Sequence, residues 1–178
     1  MNETVAKNLH KITIIDEAID NWWDQHLRGK PVLDRLFYTA SESANNSLLW
    51  YVLGSTQAAT RRNPRDAIEL SLVLALEWIL VNGGIKTLFM RSRPRHFNQH
   101  PYSLRQPITS SFPSSHASAA MVAASLISRK SRHPLLWYTL ALTVAVSRIH
   151  TRVHHPSDVA AGISLGLVIG AIARRILR

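Results

Sequence analysis

The 178-residue chain contains no cysteine. That excludes a disulfide framework and the usual thiolate-based metal sites. Acidic residues are also scarce: 11 Asp and Glu stand against 21 Lys and Arg, for a formal net charge of +10 and a pI near 10.9. Such an excess raises the question of nucleic acid. The bases, however, are not gathered into one aromatic-studded patch. They fall between apolar segments, as in loops that flank membrane spans, so no nucleic-acid partner is expected. Apolarity is itself sparse on average, with a mean hydropathy of −0.02, and spans have to be found one at a time. No secretory signal is expected over the first residues either. Residues 1–28 have no apolar core and carry Glu3, Asp16, Glu17, Asp20 and Asp24, which argues against an exported soluble protein. The length suits one domain with a substantial core.

What is present is a series of apolar segments. Residues 8–28 set Ile12, Ile15, Ile19, Trp22 and Trp23 against Asp16, Asp20 and Asp24 at helical spacing. This predicts an amphipathic helix, lying on a bilayer through its tryptophans or packed on the rest of the protein. Gly29 and Pro31 end it, and residues 32–42 read as a second short helix. Further helices are expected over 48–59, 67–90, 117–127, 135–146 and 157–176, with Glu77 as an acid inside the second of these. Gly162, Gly166 and Gly170 recur every four residues in the last, a small-residue ridge for close helix packing within the bundle. It also leaves room for a homo-oligomer. The fold class expected is all-α: a membrane-embedded helical bundle of about five transmembrane helices preceded by an amphipathic N-terminal helix. Residues 1–45 form the amphipathic N-terminal segment and 46–178 the transmembrane core.

Three polar clusters sit at ends of these segments. The first runs from Lys86 to Arg93-Pro94, where the proline ends the helix and leaves Arg93 in the loop. The second is Pro113-Ser114-Ser115-His116, at the start of the next helix, where unpaired N–H groups and the dipole favour an anion. The third holds Ser147-Arg148 and, further on, His154 and Asp158. These last two stand one helical turn apart, so the carboxylate can orient the imidazole. Three cations, two hydroxyls, two spaced imidazoles and a carboxylate suit a bound phosphate attacked by histidine. His150 and His154 at i and i+4 also raise a metal site, but the surrounding Ser-Arg and Asp158 fit phosphate better. Ser114 as nucleophile is disfavoured, since no strand-to-helix elbow surrounds it. The polar loop 91–115 adds Arg91, Arg95, His96, His100 and Arg105, some of which would receive an anionic head group.

In order and spacing the clusters resemble the three signature motifs of the type 2 phosphatidic acid phosphatase superfamily. Lys-x6-Arg-Pro is met by Lys86, Arg93 and Pro94. Pro-Ser-Gly-His is met by Pro113, Ser114 and His116, with Ser115 in place of glycine. Ser-Arg-x5-His-x3-Asp is met by Ser147, Arg148, His154 and Asp158. The resemblance covers roughly the C-terminal half. It implies His154 as the nucleophile forming a phosphohistidine, Asp158 as its orienting group and His116 as general acid. Lys86, Arg93, Arg148, Ser114 and Ser115 would bind the phosphate, with no metal or other cofactor.

The function expected is therefore an integral membrane lipid phosphatase, with the phospholipid bilayer and a lipid phosphate as its partners. A polyprenyl-linked substrate leads, such as undecaprenyl diphosphate or decaprenylphosphoryl phosphoribose; phosphatidic acid or phosphatidylglycerol phosphate follows. Two other classes are alternatives: vanadate-dependent halide oxidation in the same pocket, and a catalytically silent membrane binding protein of the same fold. Threading the helices alternately puts the three clusters on one face and the basic turns at 61–65, 129–132 and 174–178 on the other. By the positive-inside rule the active site then faces the extracytoplasmic side of the cell membrane.

Overall fold

The computed structural model describes residues 3–94, 101–102, 104–105 and 108–177, and contains helices and no strand among the described residues. The amphipathic segment forms α1 (Glu3–His26). Gly29, at φ 76°, turns the chain into α2 (Pro31–Ser43). A short turn at Asn45–Ser47 leads to α3 (Leu48–Thr60). Then comes one continuous 25-residue helical run, Pro64–Leu88, made of α4 (Pro64–Trp78), a π-helical segment (Ile79–Ile85) and α5 (Lys86–Leu88). After the long loop follow α6 (Ser115–Ser128), α7 (Pro134–His150) and α8 (Pro156–Ile176). Proline begins α2, α4, α7 and α8, where its missing N–H is no loss. The expected helices are all found, with ends shifted by a few residues.

The short helix α6 is the axis of the bundle. Every residue from Ala117 to Ser128 is buried, and α3, α4, α7 and α8 all pack on it. Its alanines and serines make that possible by letting neighbours approach closely. The glycine ridge of α8 presses on the same helix. A Cβ at Gly162 would stand 2.4 Å from the Ser114 carbonyl oxygen, and one at Gly166 would stand 2.3 Å from that of Ser118. The ridge therefore serves packing inside the bundle and fixes the start of α6 against the start of α8. Trp50, Leu70 and Leu74 fill the other side of the core.

Successive helices run between two unlike ends. At one end the basic turns are tied together: Lys130 pairs with Asp66 at 2.5 Å, Arg129 with Glu69 at 2.6 Å, and Arg129 also donates to the carbonyl of Leu177 at 2.9 Å. At the other end lie the start of α3, the end of the Pro64–Leu88 run, the start of α6, the end of α7 and the start of α8. Between the ends, large aliphatic side chains face outward on four helices, among them Val52, Leu72, Leu76, Leu142, Val168 and Ile172. Among the described residues, two helices are long and apolar enough to cross a membrane, Pro64–Leu88 and Pro156–Ile176.

The N-terminal helices dock on the corner between α7 and α8. Asp16 accepts hydrogen bonds from the Ser157 backbone N–H (2.8 Å) and hydroxyl (2.6 Å), and Arg28 donates to the carbonyls of Ile149 (2.6 Å) and His150 (2.9 Å). Helix α1 thus packs on the protein through one face while Ile12, Ile15, Ile19 and Trp22 stay exposed on the other.

Candidate active site

A cavity of about 300 Å³ opens at the end of the bundle away from the basic turns, and all three clusters reach it. Lys86, Arg93, Ser115, His116, Arg148 and His154 line it directly. Ser114 and Asp158 are buried behind that lining. Eight residues singled out from sequence are therefore collected at one place, from five separate segments of chain.

Each arrives there for a local reason. The π-helical segment, which spans Gly83 and Gly84, precedes Lys86 and rotates it relative to α4, a use of π-helix common at functional sites. Lys86 Nζ then reaches the Thr109 hydroxyl (3.2 Å) and the Ser115 hydroxyl (3.5 Å). The loop after α5 carries Arg93 across the end of the bundle, where it donates to the carbonyls of Val153 (2.6 Å) and Thr109 (2.9 Å). Burial pulls its pKa down to about 10, so it remains charged at neutral pH. Arg148, in the last turn of α7, is almost wholly buried and hydrogen-bonds the Ser41 hydroxyl; its Nε has no hydrogen-bond partner among the described residues.

The start of α6 offers the kind of donors that an anion needs. The first helical bond runs from the Ser118 N–H to the Ser114 carbonyl (3.1 Å), which leaves the N–H groups of Ser115, His116 and Ala117 ahead of the repeating ladder. The Ser114 hydroxyl is buried without a hydrogen-bond partner among the described residues. Ser115, in the position the motif gives to glycine, has ordinary helical geometry and brings its hydroxyl to the cavity wall.

His154 is held between the other clusters. Its Nδ1 stands 3.7 Å from Asp158 Oδ2 and 3.5 Å from the Ser111 hydroxyl, which in turn donates to Asp158 Oδ2 at 2.5 Å. Because the hydroxyl proton is committed to the carboxylate, Ser111 can only accept from the ring. Nδ1 therefore carries the hydrogen and Nε2 keeps its lone pair. Burial first, and then the Arg148, Arg93 and Lys86 charges, push the His154 pKa down to about 3, against the pull of Asp158 upward. The ring is neutral at physiological pH.

Sequence reasoning missed several of the residues that support the site. Ser111 is one. Asn45 is another: its amide donates to Glu42 Oε2 (2.9 Å), which turns its oxygen toward His116 Nε2 (3.0 Å). Arg91, expected among residues that receive a head group, instead binds Asp16 (2.7 Å) and Asp158 (2.6 Å). Arg105 does reach the cavity, while Arg95, His96 and His100 lie outside the described residues. His150 accepts from Trp23 Nε1 at Nδ1 (3.0 Å) and so donates through Nε2 to Asp34 (2.8 Å). Both its nitrogens are engaged, and no cluster of three metal-binding side chains occurs among the described residues. Glu77 is buried at the cavity wall, and its Oε1 has no hydrogen-bond partner among the described residues.

Comparison with known proteins bears on the family and the fold. The chain is 39% identical over 106 residues to the decaprenylphosphoryl-5-phosphoribose phosphatase of Mycobacterium tuberculosis, in two strains, a match over 54% of this chain and 59% of the relative. It thus spans about three-fifths of the length of those curated relatives. Its fold matches the crystal structure of a transmembrane PAP2-type phosphatidylglycerolphosphate phosphatase from Bacillus subtilis with a TM-score of 0.72, over 93% of this chain and 86% of that one, at 24% identity. The PAP2 superfamily model matches residues 66–178, which hold all three clusters, and the chain belongs to the PAP2 superfamily.

Proposed function

We propose that this protein is a membrane-embedded lipid phosphatase that works through a phosphohistidine. The observation that carries the reading is the convergence of Lys86, Arg93 and Arg148 on one cavity with the neutral ring of His154. Three fixed cations in a partly desolvated site offer little to a neutral ligand. They match the three equatorial oxygens of a phosphoryl group in transfer.

The lone pair of His154 Nε2 attacks phosphorus while the bond to the leaving oxygen breaks, and His116 delivers a proton to that oxygen. Asp158 and Ser111 hold the Nδ1 side. Lys86, Arg93, Arg148, the hydroxyls of Ser114 and Ser115 and the first N–H groups of α6 take up the charge on the phosphoryl oxygens. Water then attacks the phosphohistidine, His116 accepts its proton, and orthophosphate leaves with His154 restored. The protein's own cations neutralise the phosphate, so the cycle needs no metal.

The outward belt of aliphatic side chains favours a bilayer setting and hence a lipid substrate. Residues 46–178 would form the embedded phosphatase core and residues 1–45 the amphipathic segment docked on it. Among lipids, a polyprenyl-linked phosphate is the substrate class we favour, a sugar phosphate first and a diphosphate second. The printed activity of the Mycobacterium tuberculosis relative, on decaprenylphosphoryl-5-phosphoribose, supports that choice. The basic turns sit at the end opposite the cavity, and the positive-inside rule then turns the cavity to the extracytoplasmic side.

The test is orthophosphate release in detergent with EDTA present, over a panel of polyprenyl phosphosugars, polyprenyl diphosphates, phosphatidic acid and phosphatidylglycerol phosphate. Release from a polyprenyl substrate is expected, and its loss in His154→Ala. A requirement for divalent metal, or undiminished activity in that variant, would sink the mechanism.

A further inference from the structure

Two charged residues outside the three clusters are tied into the site. Asp16 is only 2% exposed, although it belongs to the amphipathic helix α1. Arg91 precedes the motif arginine by two positions. We propose that Arg91, seated by Asp16, is a positioning residue that sets the orientation of Asp158 and, through it, of the His154 ring.

The hydrogen bonds around Asp158 lead to this assignment. Its Oδ2 accepts from the Ser111 hydroxyl (2.5 Å) and the His155 backbone N–H (2.9 Å), and it faces His154 Nδ1. Rotation of the carboxylate is then decided by what holds Oδ1, and Arg91 Nη1 holds it at 2.6 Å. The other arm of the guanidinium is clamped by Asp16 Oδ2 at 2.7 Å, and Nη1 also reaches the Ser157 hydroxyl at 2.7 Å. Asp16 is itself pinned to the start of α8 through Ser157. The fork of Arg91 is therefore fixed at both tines, a geometry that an ammonium cannot reproduce.

The backbone of Arg91 acts on the same spot. Its carbonyl accepts the Ser111 N–H at 3.0 Å, and its own N–H donates to the Ser110 hydroxyl at 3.2 Å. Arg91 thus holds both groups that flank His154 Nδ1: Asp158 through its side chain and Ser111 through its main chain. Helix α1 becomes part of the catalytic apparatus without touching substrate. Neither Arg91 nor Asp16 lines the cavity, so neither is placed to bind phosphate.

The experiment compares Arg91→Lys and Asp16→Asn with the unsubstituted chain in detergent micelles. Its kinetic arm rests on the phosphatase reading; its spectroscopic arm does not. For the kinetic arm, kcat for a lipid phosphate is expected to fall about 10- to 100-fold, the scale on which an orienting partner matters. KM should change less than about twofold, because the cationic wall is untouched. For the second arm, nitrogen-15 NMR of labelled histidines, with the His154 signal identified by its absence in His154→Gln, should show one Nδ1–H tautomer in the wild type and an averaged pair in both variants. Should Arg91→Lys fail to fold, Asp16→Asn, which leaves the guanidinium in place, carries both arms. A folded Asp16→Asn with wild-type kcat and an unchanged His154 spectrum overturns the proposal. A wild type inactive on every lipid overturns the phosphatase reading instead, and the ring spectra still decide the role of Arg91.

Discussion

His154 lies just ahead of the N-cap of α8 rather than on the helix that carries Asp158, four residues on, and ring and carboxylate do not meet: Nδ1 is 3.7 Å from Oδ2, and the Ser111 hydroxyl lies within 3.5 Å of one and 2.5 Å of the other. A relay through a hydroxyl orients the ring less strongly than a direct charged hydrogen bond does. It also makes the ring's tautomer depend on a third residue. Ser111→Ala should therefore lower kcat about tenfold in the lipid-phosphate assay, within the span typical of single positioning contacts, and leave KM nearly unchanged. Ser111→Thr, which keeps the hydroxyl, should recover most of the loss. A variant with full activity would mean that ring and carboxylate close the gap by themselves.

The clusters were legible because each is local: a lysine seven residues before Arg93-Pro94, two serines and a histidine at a helix start, a histidine and a carboxylate four residues apart. Periodicity located the helices, and the four-residue glycine spacing located the face of α8 that meets α6. The supports were not legible. Ser111, Asn45 and Asp16 lie 43, 71 and 141 residues from His154, His116 and Ser157, the partners they hold, and no short pattern marks a contact that only the assembled bundle creates. Some signals were available in retrospect. Asp16 stands on a helix whose apolar stripe faces outward, so a buried partner was implied for the opposite face, and the Gly83-Gly84 pair marked the irregular turn before Lys86. His150 shows the opposite case, since its i and i+4 spacing with His154 suggested a shared ligand. Its ring instead locks α1 and α2 to α7 through Trp23 and Asp34.

The buried ring of His154 ties stability to pH. The unfolded chain takes up this proton near pH 6.5, whereas in the folded chain the pKa is held down to about 3, by burial first and by the surrounding cations next. Between those values the unfolded state binds more protons, so stability rises with pH. The contribution is complete above pH 6.5 and is lost progressively as the pH falls, by about 2 kcal/mol between pH 6.5 and 5. Unfolding midpoints measured in micelles from pH 7 to pH 5 should fall further for the wild type than for His154→Gln, which has no such proton to gain. Equal falls would show that other groups dominate the acid sensitivity.

Asn45 offers a way to separate proton delivery from phosphate binding. Its amide is turned by Glu42 so that its oxygen meets His116 Nε2 at 3.0 Å, which fixes where that ring sits on the cavity wall. Loss of the amide in Asn45→Ala leaves the cations and His154 in place, so attack on phosphorus is spared while protonation of the leaving oxygen suffers. General acid catalysis matters most for poor leaving groups. The variant should therefore lose about 10- to 100-fold on an alkyl phosphate of a lipid, the scale on which the loss of an orienting partner matters, and much less on an aryl phosphate whose phenolate departs unaided. Equal losses on both substrates would mean that Asn45 shapes the phosphate site itself, and that His116 does not depend on it for its place in the reaction.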